Sequence, residues 1–184
     1  MKRKVLILID IQNIYFTPGP FLLHEPEMAA RNAAKILKVF REAQMPVIHV
    51  KHLFPTQGYT QTRDFLLANA PDVAPILGES IVEKNFPNSF LQTTLRSKLL
   101  QTGCKDLVIA GMMSHMCVDT TVRECQNYGY QVIVPQDACA TMDLKFQDML
   151  LPAEQVHRVF MAALGQAFAT VTDTDKLVEE LLAE

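Results

Sequence analysis

Leu107-Val108-Ile109-Ala110-Gly111-Met112-Met113-Ser114-His115-Met116-Cys117 reads as an apolar strand running through a glycine into the start of a helix. Its apolar beginning, Leu107–Ala110, suits a strand covered on both faces, as in a parallel sheet. Downstream, Val118, Thr121, Val122 and Cys125 recur on one face, so His115–Tyr128 is predicted to be a helix ended by Gly129. The unit repeats along the chain. Strands are predicted at Val5–Ile9, Pro46–Val50, Ser80–Glu83, Gln131–Val134 and Phe168–Val171. Helices are predicted over 27–44, 93–101 and 152–166, with a short one near Asp64–Ala70. Thr172-x-x-Asp175 resembles a capping box opening a last helix with Leu177, Val178, Leu181 and Leu182. Strand–helix alternation at these lengths implies right-handed crossovers and helices on both faces of a parallel sheet, an α/β/α sandwich.

The chain has 184 residues, enough for one substantial core, and residues 1–184 read as one domain with 51–79 an excursion from the sheet. Lys and Arg number 17 against 20 Asp and Glu, a net charge of −3. That balance offers no basic excess for nucleic acid. No apolar run approaches the ~18 residues of a membrane span. The start, Met1-Lys2-Arg3-Lys4 before Val5–Ile9, mimics a signal peptide, but its apolar stretch stops at Asp10, short of the ~7 residues such a segment needs. A cytoplasmic protein is the resulting expectation.

Cysteines stand at 104, 117, 125 and 139 with no C-x-x-C spacing, which disfavours a zinc cluster, and a cytoplasmic chain of this size needs no disulfides. Each thiol is therefore weighed by place. Cys125 lies on a helix's apolar face and Cys104 beside a helix-ending glycine, both packing positions. Cys139 follows a strand without a helix start beside it. Cys117 sits at a strand-to-helix turn, where backbone N–H groups and the helix dipole favour an anion, so a lowered thiol pKa and a nucleophilic role are expected there. The competing reading is a small buried hydrophobe.

Sites in open α/β sheets form at the carboxyl ends of strands. The candidates at that rim are Asp10 after strand one, Lys51 and His52 after strand two, Lys84 after strand three, Cys117 after strand four, and Asp137 after strand five. A carboxylate, an ammonium and a thiol thus meet on one rim from three strands. Asp137 reads as satisfying backbone near the site.

Four segments carry a family likeness: Asp10-Ile-Gln-Asn with Phe16; Lys84-Asn-Phe-Pro-Asn-Ser-Phe90; Gly111-Met-Met-Ser-His-Met-Cys117-Val-Asp-Thr-Thr-Val-Arg; and Gly129-Tyr-x-Val-x-Val-x-x-Asp137-Ala-Cys-Ala. Together they resemble the isochorismatase-like cysteine hydrolases over essentially the whole chain. The resemblance implies a six-stranded, mainly parallel sheet, a homo-oligomer, and a catalytic triad of Asp10, Lys84 and Cys117. It also implies a cis peptide at Met112–Met113, which turns the Met113 N–H toward an oxyanion hole shared with the Cys117 N–H. Phe16 and Phe90 match aromatic positions near the family's pocket. His52, at the rim, is a further candidate for substrate contact, whereas His115 is read as structural.

The activity implied by this likeness is hydrolysis of a C–N bond in a small amide or carbamoyl/ureido compound through a Cys117 thioester, with no cofactor. Nicotinamidases of the family carry a metal on an Asp-x-His after strand two. Here that stretch is His49-Val-Lys51-His52-Leu-Phe-Pro, and His49 and His52 point to opposite faces, so no metal is expected. Two rival readings are an isochorismate-type vinyl-ether hydrolase, which needs no thiol, and a non-catalytic oligomeric binding protein whose thiol senses oxidants.

Overall fold

The computed structural model describes residues 3–183; Met1 and Lys2 of the charged start, and Glu184, lie outside the described residues. Among the described residues, nine strands and six helices run in order: β1 (Lys4–Ile9), α1 (Pro26–Glu42), β2 (Val47–His52), α2 (Arg63–Leu67), β3 (Ser80–Lys84), α3 (Leu95–Thr102), β4 (Asp106–Met112), α4 (Asp119–Asn127), β5 (Gln131–Pro135), β6 (Cys139–Ala140), β7 (Leu144–Phe146), β8 (Met149–Leu151), α5 (Ala153–Ala167), β9 (Thr170–Thr172) and α6 (Thr174–Ala183).

The main sheet runs β3-β2-β1-β4-β5-β9, with every neighbouring pair parallel. Its six strands match the six predicted, and the two-residue β6, parallel to the end of β4, makes seven. Six predicted strands thus become seven because the chain after β5 passes through a short 3-10 turn (Gln136–Ala138) and rejoins β4 farther along at the rim, too briefly for any hydropathy signal.

Alternation along β1 divides the core. Leu6 and Leu8 face a cluster built with Ala33, Ile36 and Phe40 of α1 and Leu177 and Leu181 of α6. Val5, Ile7 and Ile9 face Leu95 and Leu99 of α3, Val122 and Cys125 of α4, and Leu164 of α5. All six β1 residues are buried. Burying each large apolar side chain contributes roughly 1.5–3 kcal/mol, so the central strand must be apolar on both faces.

One element is added and two expectations are corrected. Residues 144–151 form an antiparallel hairpin, β7–β8, that the sequence did not signal. Thr172 is not a cap but the last residue of β9, with a buried hydroxyl that has no hydrogen-bond partner among the described residues. The last helix starts two residues later, at Thr174, whose N–H and hydroxyl donate to Asp137 Oδ1 at 2.8 and 2.7 Å. Helix α4 begins at Asp119, after Cys117, because Ser114–Val118 form a wider π-helical turn first.

The strand order has a switch point. From β1 the chain winds outward through β2 and β3, then returns beside β1 as β4 and winds the other way. The crevice between the carboxyl ends of β1 and β4 is where such sheets hold ligands.

Candidate active site

Asp10 follows β1 directly and adopts φ 53, the left-handed region, which costs a non-glycine residue roughly 1 kcal/mol. Its N–H still donates to the Val50 carbonyl at 2.9 Å, so the neighbouring strand holds the strained residue in place. Across the seam Gly111 has φ 138, and a Cβ there would stand 2.0 Å from the Ile9 carbonyl oxygen. Only glycine lets β4 approach the end of β1 this closely. The Met112–Met113 peptide is cis, in agreement with the resemblance.

Past that bond the Met113 carbonyl accepts from the Met116 N–H (3.0 Å) and the Val118 N–H (3.3 Å), closing the π turn that carries Cys117. Such single turns recur at functional sites. Ser114, at its start, donates to the Ala140 carbonyl of β6 (3.2 Å) and lies 2.8 Å from His157 Nδ1. The nucleophile candidate therefore sits on a turn tied to β6 and α5, two elements far along the chain.

Lys84 Nζ is the hub. It lies 2.6 Å from Asp10 Oδ2, 3.1 Å from Cys117 Sγ and 2.8 Å from His52 Nδ1. Asp10, Lys84 and Cys117 are buried. Burial raises the Asp10 carboxyl above its ordinary range, while the Lys84 charge and its hydrogen bond pull the other way. Burial, then the Asp10 charge, pushes the Cys117 thiol up to about 12 against the pull of Lys84. This reverses the lowered value expected from the sequence. The thiol precedes α4 instead of heading it, and desolvation beside a carboxylate outweighs one ammonium. Cys117 therefore rests as a thiol, with the Asp10 carboxyl on the other side of the Lys84 ammonium. Tyr15, buried nearby, is held well above its usual range by desolvation and then by the Asp10 charge.

Of the remaining candidates, Met113 is half-buried against the α1-side cluster, as is Phe16, while Phe90 lies in the same buried cluster as Cys117 with its ring 5.1 Å from that of Tyr128. His115 turns to Thr141, with Nδ1 2.5 Å from Oγ1. Cys104, Cys125 and Cys139 are buried and unpaired, and burial raises the thiols of Cys125 and Cys139. Gln12, quoted within a motif but given no role, brackets His52. Its amide donates to the His52 carbonyl (3.2 Å) and accepts from the His52 N–H (2.8 Å). Phe54 stacks on the His52 imidazole, with ring centroids 4.2 Å apart. A carboxamide and an aromatic ring beside a rim histidine have no distinctive spacing, so neither was legible.

Asp10, His52 and Cys117 each place one metal-ligating atom within 4.8 Å of the others. Lys84 Nζ touches all three, so the set closes around an ammonium and does not fit a metal ion.

Residues 4–176 match the family model described as the isochorismatase domain. The chain belongs to the isochorismatase family. It is 45% identical over 180 residues to YddQ, an isochorismatase-family protein of Bacillus subtilis, spanning 95% of this chain and 98% of that one. It is 33% identical to a secreted isochorismatase effector of Verticillium dahliae, over 93% and 88% of the two chains. The solved structure of an isochorismatase from Pseudomonas putida superposes with a TM-score of 0.90 at 38% identity, covering 95% of this chain and 90% of that one. The chain is thus an isochorismatase-family hydrolase with a mainly parallel α/β fold. No helix among the described residues is long and apolar enough to cross a membrane.

Proposed function

We propose that this isochorismatase-family member is a cysteine hydrolase that cleaves a C–N bond of a small amide or carbamoyl/ureido compound. The observation that carries this reading is the buried contact of Lys84 Nζ with both Asp10 Oδ2 and Cys117 Sγ at the β1/β4 switch point. A carboxyl raised by burial beside a thiol raised by burial is a pair between which a proton moves when substrate arrives.

Asp10 takes the Cys117 proton as Sγ forms a bond to the substrate carbonyl carbon. The N–H groups of Met113 and Cys117 receive the developing oxyanion, each such donor being worth roughly 3 kcal/mol in studied enzymes. The tetrahedral centre then breaks its C–N bond, and Asp10 returns the proton to the leaving nitrogen. Water adds to the thioester carbon, giving its proton to Asp10, and the departing Cys117 sulfur takes that proton back. Lys84 stays in contact with both partners, so the carboxylate has a counter-ion at the start of each half-reaction. To substrate contact we assign Phe16 and Phe90, which pack in the clusters on the two faces of the sheet, and His52, which touches Lys84.

Relatives named as a nicotinamidase of Arabidopsis thaliana, a maleamate amidohydrolase of Pseudomonas putida and a ureidoacrylate amidohydrolase of Acinetobacter baylyi support the reading, since each name denotes an amide-type substrate. The test is mass spectrometry of protein quenched during turnover of a panel of small amides with ammonia detection. An acyl adduct on Cys117 is the expected result. Turnover of isochorismate by Cys117→Ala overturns it in favour of vinyl-ether hydrolysis. Iodoacetamide labelling of Cys117 with no amide turned over favours the oxidant-sensing alternative.

Four unpaired cysteines support a cytoplasmic location, and the exposed Phe146, Met149 and Leu150 of the β7–β8 hairpin support a homo-oligomer. A monomer by light scattering would remove the second inference.

A further inference from the structure

His52 ends β2 and is the register partner of Lys84 in β3, so both side chains leave the sheet on one face. An ammonium has three hydrogens to donate and no acceptor. Lys84 directs them at Asp10 Oδ2, His52 Nδ1 and Cys117 Sγ. A ring nitrogen receiving an ammonium hydrogen must carry its lone pair, so Nδ1 is unprotonated and the imidazole hydrogen sits on Nε2. The ring is fixed in two further ways: Gln12 brackets its backbone, and Phe54 stacks on it with 21° between the planes. Nε2 has no hydrogen-bond partner among the described residues and is not sealed from solvent. A rigid neutral donor therefore stands beside the proposed nucleophile with no acceptor among the described residues.

The surroundings say what it meets. Phe54 lies edge-on to Tyr15 at 5.7 Å and 6.5 Å from Phe21, whose ring meets Tyr59 at 5.8 Å, so an aromatic wall continues from His52. Lys84, the cation in contact with the site among the described residues, has no hydrogen left over. Lys51, one residue before His52, leaves β2 on the opposite face and lines a separate cleft with Arg63 and Glu83. A substrate carboxylate would thus enter beside buried Asp10 without a counter-ion.

Resting on the proposed hydrolase activity, we propose that His52 is a specificity-determining residue. Its Nε2–H donates to an uncharged acceptor, such as a carbonyl oxygen, on a neutral amide lying along the Phe54 wall, and the site discriminates against amides that carry a carboxylate.

Three matched probes test this: succinamide (neutral acceptor), succinamate (charged acceptor) and butanamide (no acceptor). Each is assayed for kcat/KM per amide group and for protection of Cys117 against iodoacetamide, a readout that does not need turnover. One neutral hydrogen bond corresponds to roughly a tenfold preference for succinamide over butanamide. The expected order is succinamide first, with succinamate at or below butanamide. His52→Phe, which keeps the stacked ring, should bring the succinamide-to-butanamide ratio to about one through KM; His52→Gln, which restores a donor, should recover part of it. Nitrogen-15 spectra of the imidazole should report a protonated Nε2 and a bare Nδ1. A preference for succinamate, an unchanged ratio in His52→Phe, or a protonated Nδ1 overturns the proposal while leaving the thioester reading intact. Failure of every probe to give an acyl adduct or ammonia tells against the hydrolase reading, and the protection series still ranks the three probes.

Discussion

Strands β2 and β3 hold two charged clusters at their opposite ends, each built from a carboxylate, a cation and a histidine. At the end where the strands begin, Glu79 accepts from Nε and Nη2 of Arg41 (2.7 and 2.9 Å), lies 2.7 Å from His49 Nε2 and accepts from the Ile76 N–H (3.0 Å). At the carboxyl end, Asp10 meets Lys84, and the same ammonium reaches Cys117 and His52. Hydrogen bonds from Arg41, Ile76 and His49 overcome burial and hold the Glu79 carboxyl down at about 2. Burial wins at Asp10, whose carboxyl is raised. The same residue types thus make a clamp where hydrogen bonds converge on the carboxylate. Where one ammonium is shared among three groups they leave a raised carboxyl near a raised thiol, the pair to which the proposed mechanism assigns proton transfer.

Substitutions can break this contrast at either end. Cys117→Ala should give the largest effect, lowering amide turnover by about 10⁴ or more, as removal of a nucleophile does in other hydrolases. Steady-state rates with retained near-ultraviolet dichroism check it. Lys84→Met should cut kcat by two to three orders of magnitude, roughly, and also lower stability by about 3–5 kcal/mol, because a buried carboxylate loses its partner. Denaturant titration beside kinetics separates the two losses.

Glu79→Gln should do the reverse. We expect a stability loss on the order of 2 kcal/mol from the broken clamp, with kcat within about twofold of the parent. A comparable loss of kcat would mean that the two ends are coupled.

The pH dependence sharpens the same distinction. The Glu79 carboxyl falls from 4.5 to about 2 on folding, so its contribution is full above pH 4.5 and lost as pH falls through about 2. Burial, helped by the Lys84 charge, lowers His52 from 6.5 to about 4. The unfolded chain therefore binds the extra proton first, and stability declines as pH falls from 6.5 toward 4. Burial of His49 acts in the same direction below 6.5. Melting temperatures across roughly pH 2–7 should show both declines, and Glu79→Gln should flatten the lower one. Smallest of all, Thr172→Val should be neutral or slightly stabilising, since it removes a buried hydroxyl without a partner. A marked loss in thermal melts would reveal a partner for that hydroxyl.

Legibility differed between the two ends as well. Asp10, Lys84 and Cys117 were readable because each lies at or shortly past the carboxyl end of a predicted strand, and strand ends define the rim whatever the loops do. The Glu79 clamp was not, because Arg41, His49 and Glu79 belong to a helix, a strand and a loop with no shared spacing. Cys117's position was predicted and its ionisation was not. Helical periodicity from Val118 onward said nothing about the π turn that delays α4 to Asp119.

The sequence by itself determined the alternation of strands and helices, the doubly covered sheet and the three residues at its rim. Those features depend on hydropathy period and on local breakers, which every residue carries with it. Only the tertiary structure decided that Lys84 touches Asp10, Cys117 and His52 together, that the thiol is raised instead of lowered, and that it is Nδ1 of His52 that meets the ammonium. Those outcomes depend on desolvation and on distances between strands that sequence order does not encode. Burial from all sides sets the cost of each charge, and the β1/β4 seam, closed over Gly111, sets which charges meet.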